Sequence, residues 1–288
     1  TRNMKDQAEG LRKLVDKQDR ASRIIAVTSG KGGVGKTNIA ANLALALCQM
    51  GHRVVLIDVD LGLANVDIVL GMTPTFDLGH VFRGEKTLRE VIVEGPLGLK
   101  VLSGGSGVTD LANLNGWRLE VFIKSLEQLN REFDFVILDT GAGIHRSVLS
   151  FVLAATEILV VTTPEPTAIT DAYGLLKVIH QRSPHAKVHL VVNMAKSPNE
   201  AEAVADKLNS VLLEYVKWEV DYIGYILQES QLAKAVSDQQ PVLLAFPSAM
   251  SSRSLKRIAG VLTGEKVQVA PLGITGFFSK VYDFLSMQ

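Results

Sequence analysis

A chain that carries Gly30-Lys31-Gly32-Gly33-Val34-Gly35-Lys36-Thr37 between an apolar run and a helical pattern has few folds open to it. The run before it is Ile24-Ile25-Ala26-Val27, and the pattern after it is Ala40, Leu43, Ala44, Leu47. Strand, glycine loop, helix is the order that a phosphate cradle requires. Glycines let the backbone turn tightly, so that its N–H groups face phosphate oxygens. The helix start adds the positive end of its dipole. Lys36 reaches the outer phosphates, and the Thr37 hydroxyl is a Mg²⁺ ligand. The segment fits G-x-x-x-x-G-K-T at every fixed position. Lys31 is the odd residue; taken alone, it reads as a solvated loop lysine.

Beyond the loop, apolar runs recur at 24–28, 53–58, 99–102, 134–138, 157–162, 187–192 and 222–227. Helical patterns lie between them, clearest at 38–50, 117–130, 168–181 and 199–213. This alternation predicts an α/β fold, a mostly parallel twisted sheet flanked by helices on both faces. The chain has 288 residues and 47% hydrophobic content, enough for a large core.

Two acidic motifs end two of the predicted strands. Asp58-Val59-Asp60-Leu61-Gly62 follows Val54–Ile57, and Asp139-Thr140-Gly141-Ala142-Gly143 follows Phe135–Leu138. Open α/β sheets bind ligands at the carboxyl ends of their strands. An acid there holds Mg²⁺, directly or through water, beside a phosphate loop. Any one such acid is also a plausible turn or helix cap; three beside one complete loop point to a nucleotide–Mg²⁺ site. Gly141 and Gly143 predict a flexible third motif able to move with the γ-phosphate.

Composition narrows the class. Lys plus Arg and Asp plus Glu are 30 each, so no net charge draws the chain to nucleic acid. The one cysteine, Cys48, excludes an internal disulfide framework, argues against a thiolate-held metal cluster, and reads as core packing. The six histidines show no zinc spacing. No signal peptide or membrane-length apolar run is visible, which predicts a cytoplasmic protein.

The two ends are amphipathic. Met4, Ala8, Leu11 and Val15 form one helical stripe, either a frayed terminal helix or a peptide that folds on a partner. Val267–Gly276 reads as a linker because of Pro271, Gly273 and Gly276. After it, Phe277, Phe278, Val281, Tyr282, Phe284 and Leu285 share a helical face. That face suits docking on the chain's own domain or on a membrane. Only Lys280 is basic there, so electrostatic attraction to lipid is weak.

Taken together, K-G-G-V-G-K-T, the run Asp58, Asp60, Gly62, Asn65, Asp67, and the run Asp139, Ala142, Gly143 resemble the MinD/ParA family of deviant Walker A ATPases. The resemblance covers roughly residues 23–265. Within it the chain is most similar to the FlhG (FleN, YlxH) branch, which controls flagellar number and position. Glu165-Pro166-Thr167-Ala168-Ile169-Thr170-Asp171-Ala172-Tyr173 and Asp6-Gln7-Ala8-Glu9-Gly10-Leu11-Arg12 carry that further likeness. The resemblance implies a slow, Mg²⁺-dependent ATPase that dimerises with ATP and hydrolyses it to ADP and phosphate. Lys31 would act in trans on the partner subunit's phosphates. Gly30, Gly32, Gly33, Val34, Gly35, Lys36, Thr37 and Asn38 would cradle the nucleotide, with Asn193 reading adenine. Thr37, Asp58 and Asp139 would serve the metal, and Asp60 would position the attacking water. Gly141 stands where the family usually carries proline or alanine, which bears on the stiffness of that motif.

The resemblance further implies three segments: a partner-activating helix at 1–22, an ATPase domain at 23–266, and a linker with a membrane-targeting helix at 267–288. Asp6–Arg12 would stimulate an FlhF-type signal-recognition GTPase. Phe277–Leu285 would meet lipid on the inner face of the cell membrane. Flagellar C-ring proteins or a flagellar transcription regulator are further expected partners, and no direct nucleic acid is expected. Rival readings are a ParA/Soj-type DNA-partition ATPase, a MinD-type division-site regulator, and an iron–sulfur carrier on a related fold. The first needs a basic surface, and the last needs more cysteines.

Overall fold

The computed structural model describes residues 22–60, 65–105, 132–264 and 273–286. The stripe at 4–15, the Asp6–Arg12 segment, Gly62, the pattern at 117–130 and most of the expected linker lie outside them.

Eight strands form one sheet in the order β3-β4-β2-β5-β1-β6-β7-β8. They are β1 Arg23–Ser29, β2 Val54–Asp58, β3 Val93–Glu94, β4 Lys100–Leu102, β5 Phe135–Ala142, β6 Glu157–Thr162, β7 Lys187–Ala195 and β8 Asp221–Leu227. Every pairing is parallel except β3 with β4. The long helices are α1 Lys36–Gln49, α2 Arg146–Ala154, α3 Pro166–Arg182, α4 Pro198–Tyr215, α5 Ser230–Ser237, α6 Met250–Gly264 and α7 Gly273–Ser286.

The central strand shows why both faces are covered. Ile25 and Val27 enter one buried cluster with α1 and α6, while Ile24 and Ala26 enter another on the opposite face. Side chains alternate across a strand, so a run apolar at every position needs packing on both sides. Helix α1 is buried continuously from Ile39 to Leu47 between the sheet and α6. Its alanines allow that close approach. Its buried Asn42 is satisfied on both ends, donating to the Asn38 carbonyl at 2.8 Å and accepting from the Leu243 N–H at 3.0 Å.

Strand β1 sits at the switch point, with the chain's earlier strands to one side and β6 to β8 to the other. The loop after β1 therefore opens into the crevice where such sheets bind ligands.

Two expectations need correction, and the tail takes one of the two seats open to it. The third motif is not a flexible loop as far as Ala142: β5 runs through it, and Gly141 is buried in the strand. Gly273 and Gly276, expected in a linker, belong to α7. The tail is built into the domain, because Phe277, Phe278 and Val281 are buried in one cluster with Phe82, Val136 and Phe151. Tyr282, Phe284 and Leu285, expected on the same face, are only half-buried.

Candidate nucleotide site

The phosphate loop is shaped by two positive-φ glycines and two close approaches. Gly33 and Gly35 have φ of +78° and +90°, in the left-handed region that glycine adopts without strain. A Cβ on Gly30 would lie 2.2 Å from the backbone of Asp171, so α3 packs directly on the loop. A Cβ on Gly35 would lie 2.4 Å from Asn193 Nδ2. Gly35 is the N-cap of α1, without a side-chain cap and with no acid in the first turn. The helix start thus keeps its unpaired N–H groups and positive end for an anion. Lys36 lies just inside, 8% exposed. Asn38 is half-buried one position beyond Thr37.

The two acidic motifs meet this loop from neighbouring strands. Asp58 and Asp139 stand opposite each other in the β2–β5 register, and each is 1% exposed. Burial pushes Asp139 up to about 7; the Thr37 hydroxyl bonded to it and the Lys36 charge pull it down, and the Asp58 charge raises it further. Burial likewise pushes Asp58 to about 6, against hydrogen bonds that its carboxylate accepts. Those bonds come from the backbone N–H groups of Asp60 at 3.0 Å, Asn65 at 3.0 Å and Val66 at 3.2 Å. Asp58 therefore holds the backbone at Asp60 and at Asn65–Val66.

Asp139 Oδ1 is buried without a hydrogen-bond partner. A buried carboxylate oxygen costs free energy unless something meets it. A hard cation bound beside the Thr37 hydroxyl would meet it, so Asp139 and Thr37 fit Mg²⁺. Among the described residues no three His, Cys, Asp or Glu side chains gather as a self-sufficient metal site. Mg²⁺ takes one or two protein oxygens and completes its shell with phosphates and water.

Asp60 reaches the same place from β2, and Gly141 explains how. A Cβ at position 141 would stand 3.3 Å from Asp60 Oδ1 and 3.2 Å from Val148 Cγ2. Glycine leaves room for Asp60 rather than loosening the strand. The last part of the motif is pinned to the loop strand as well: Gly143 N–H donates to the Ser29 carbonyl at 2.8 Å.

Asn193 ends the buried stretch of β7. Its Nδ2 donates to the Val34 carbonyl at 2.7 Å, and its Oδ1 is buried without a partner. An adenine amino group is a donor of the kind that Oδ1 lacks. The next residue, Met194, has φ +58° and is 40% exposed.

Lys31 is engaged at the start of α3. Its Nζ donates to Glu165 Oε1 at 2.5 Å and to Thr167 Oγ1 at 2.8 Å, and Thr167 Oγ1 donates to the same carboxylate at 2.7 Å. The bond from Lys31 holds Glu165 below the usual carboxylate range. The Glu-Pro-Thr segment that opens α3 is thus the resting partner of the loop's first lysine, a pairing that sequence reasoning missed.

Comparison with known proteins places this geometry. Residues 20–263 match the ParA family, described as NUBPL iron-transfer P-loop NTPase. The chain belongs to the MinD/ParA family of P-loop ATPases. It is 40% identical over 256 residues to the antiactivator FleN of Pseudomonas aeruginosa, spanning 89% of this chain and 91% of that one. It is 34% identical over 270 residues to the flagellum site-determining protein YlxH of Helicobacter pylori, spanning 92% and 91%. A solved structure, the cell division ATPase MinD of Pyrococcus furiosus, matches with a TM-score of 0.69 at 26% identity, over 84% of this chain and 99% of that one. The chain is an ATPase of this family, with the family's fold and loop. Its single cysteine gives no thiolate set for the iron transfer that the family description names.

Proposed function

We propose that this ATPase is a switch that closes as a homodimer around ATP and Mg²⁺, presents α7 to the inner face of the cell membrane, and regulates flagellum number or placement. The flagellar part draws support from the likeness to FleN and YlxH over nine-tenths of the chain. One structural observation carries the switch: α7 is seated on α2, and α2 begins three residues after Gly143 of the third motif. Arg146, the first residue of α2, donates to the Phe284 carbonyl at 2.8 Å and lies 5.9 Å from the Phe284 ring. A motif that senses the γ-phosphate and the seat of the tail are therefore one continuous segment.

The roles follow from the residues. Lys36 and the bare start of α1 hold phosphate oxygens. Thr37 and Asp139, with Asp58 beside them, would hold Mg²⁺, which would supply charge stabilisation at the transferred phosphoryl group. Asp58 keeps Asp60 in place, and Asp60 orients the attacking water. Asn193 accepts from the adenine amino group. Lys31 leaves Glu165 and Thr167 to serve the partner subunit's phosphates, which couples hydrolysis to pairing. No described helix is long and apolar enough to cross a membrane, so lipid contact through α7 is peripheral. The Asp6–Arg12 segment would engage an FlhF-type GTPase, and C-ring proteins or a transcription regulator would read the dimer.

Molecular mass in solution tests the proposal, measured with ADP and with a nonhydrolysable ATP analogue, each with and without anionic vesicles. A doubled mass and vesicle binding only with the ATP analogue are expected. Equal vesicle binding in both nucleotide states refutes the switch.

A further inference from the structure

Strand β7 is buried at every interior position but one. The exception is Met194. The β7–β8 register shows how it gets out: Val192 pairs with Tyr225 and Ala195 with Leu227, so Asn193 and Met194 together face the single residue Ile226. That is a bulge, a device that re-aims a side chain at a strand end. Met194 completes it with φ +58°, a conformation that residues with a Cβ adopt at a cost. Backbone strain held at the carboxyl edge of a sheet, beside a ligand loop, is a mark of a working residue. The released side chain leans on the phosphate loop, its Cε 3.7 Å from where a Cβ of Gly35 would stand.

We propose that the Met194 side chain is the apolar surface on which the purine of the bound nucleotide rests. This rests on the nucleotide-site reading above and adds a residue to it. Asn193 offers one acceptor to the rim of the base, which fixes orientation but covers no ring face. A thioether on three rotatable bonds settles against an aromatic ring, with sulfur–ring contact adding to apolar burial. Other exposed methionines, Met50 and Met250, lie at helix ends outside the loop's reach and share neither the bulge nor the positive φ.

Calorimetric titration with Mg-ADP and with Mg-tripolyphosphate, which has no base, tests the assignment. Met194→Gly removes the side chain and suits the positive φ. It should weaken ADP about fivefold to tenfold and leave tripolyphosphate within twofold. Its melting temperature should not fall below that of the unsubstituted chain. Met194→Leu, which keeps an apolar body, should hold ADP affinity within about twofold. Unchanged ADP affinity in Met194→Gly, or equal losses for both probes, overturns the assignment; loss of fold in that variant overturns the strain premise. Failure of the unsubstituted chain to bind either probe strikes the nucleotide site itself, a distinct result.

Discussion

Asp139→Asn should make the metal-free protein more stable and the enzyme inactive. Asp139 is buried beside a second buried carboxylate, Asp58, and burial is the main cause that lifts it from an ordinary 3.8 to about 7. Between those values the folded chain holds a proton that the unfolded chain has released. Stability therefore falls as pH rises through that window, and the full cost is present above about pH 7. Three pH units at 1.36 kcal/mol each set a ceiling of about 4 kcal/mol. Asparagine keeps the shape, still accepts the Thr37 hydroxyl, and has no charge to desolvate. At about 2 °C per kcal/mol for a chain of this size, the gain is on the order of 5 °C. Thermal melts in EDTA from pH 5 to pH 8.5 read it out. The variant should melt above the parent at pH 8, and the gap should close towards pH 5, while Mg²⁺-dependent ATP hydrolysis is lost. A variant that melts below the parent at pH 8, or a gap indifferent to pH, refutes the argument that these acids are held at a cost for a cation.

Four further perturbations separate the parts of the site. Lys31→Ala should bind ADP yet stay monomeric with ATP, with hydrolysis reduced on the order of 10³-fold, as when an arginine finger is withheld; ordinary turnover would remove its trans role. Asp60→Ala should bind ATP, hydrolyse it poorly and accumulate as a dimer in size-exclusion chromatography, and rapid hydrolysis would take Asp60 out of catalysis. Gly35→Ala forces a Cβ into a positive φ and against Asn193 Nδ2, so it should cost about 1–2 kcal/mol and lower both the melting temperature and ADP affinity; a neutral outcome in both would show that the loop is not held as described. Arg146→Ala loses the bond to the Phe284 carbonyl and should raise vesicle binding with ADP, whereas unchanged binding would show that this contact does not retain the tail.

The sheet was legible because parallel strands buried on both faces leave unbroken apolar runs. The run expected at 157–162 matches β6, and that at 53–58 matches β2 within a residue. Helix α6 was not legible. It opens Met-Ser-Ser-Arg-Ser, yet Ser251, Ser252 and Ser254 are buried. The Ser252 hydroxyl is satisfied by the carbonyls of Val242 and Phe246, a tertiary fact that periodicity does not carry. Strand β3 has two residues, too few for a pattern. In the site, each motif was readable because its parts are adjacent in sequence. The partners of those motifs were not: Glu165 lies 134 residues from Lys31, and Asn193 lies 159 residues from Val34. Likewise Glu157, fully buried where the central strand β6 begins, is paired with Arg23 and His189, residues distant in sequence.

Two resting contacts, Lys31 with Glu165 and Arg146 with the tail, differ in the free energies involved. Lys31 with Glu165 is a half-exposed pair, screened by water and cheap to break, as the proposed exchange for a partner subunit's phosphate would require. The tail is different. Burying Phe277, Phe278 and Val281 stabilises the docked state by about 1.5–3 kcal/mol each, an upper range for the protein core. The same side chains inserted in a bilayer would regain a similar amount, so the proposed lipid binding would nearly balance docking. A near-balance is what a ligand can tip: moving a two-state equilibrium from 1:99 to 99:1 takes about 5.5 kcal/mol of differential binding. In the proposed switch, ATP held between two chains would supply that difference at Gly143, and α2 would pass it to the seat of α7. Part of the tail's apolar seat is α2 itself, where the Phe151 and Phe277 rings lie 6.0 Å apart, so a shift of α2 disturbs that seat as well. Because Arg146 grips the Phe284 carbonyl from the first turn of α2, a small displacement of that turn weakens the tail's hold directly.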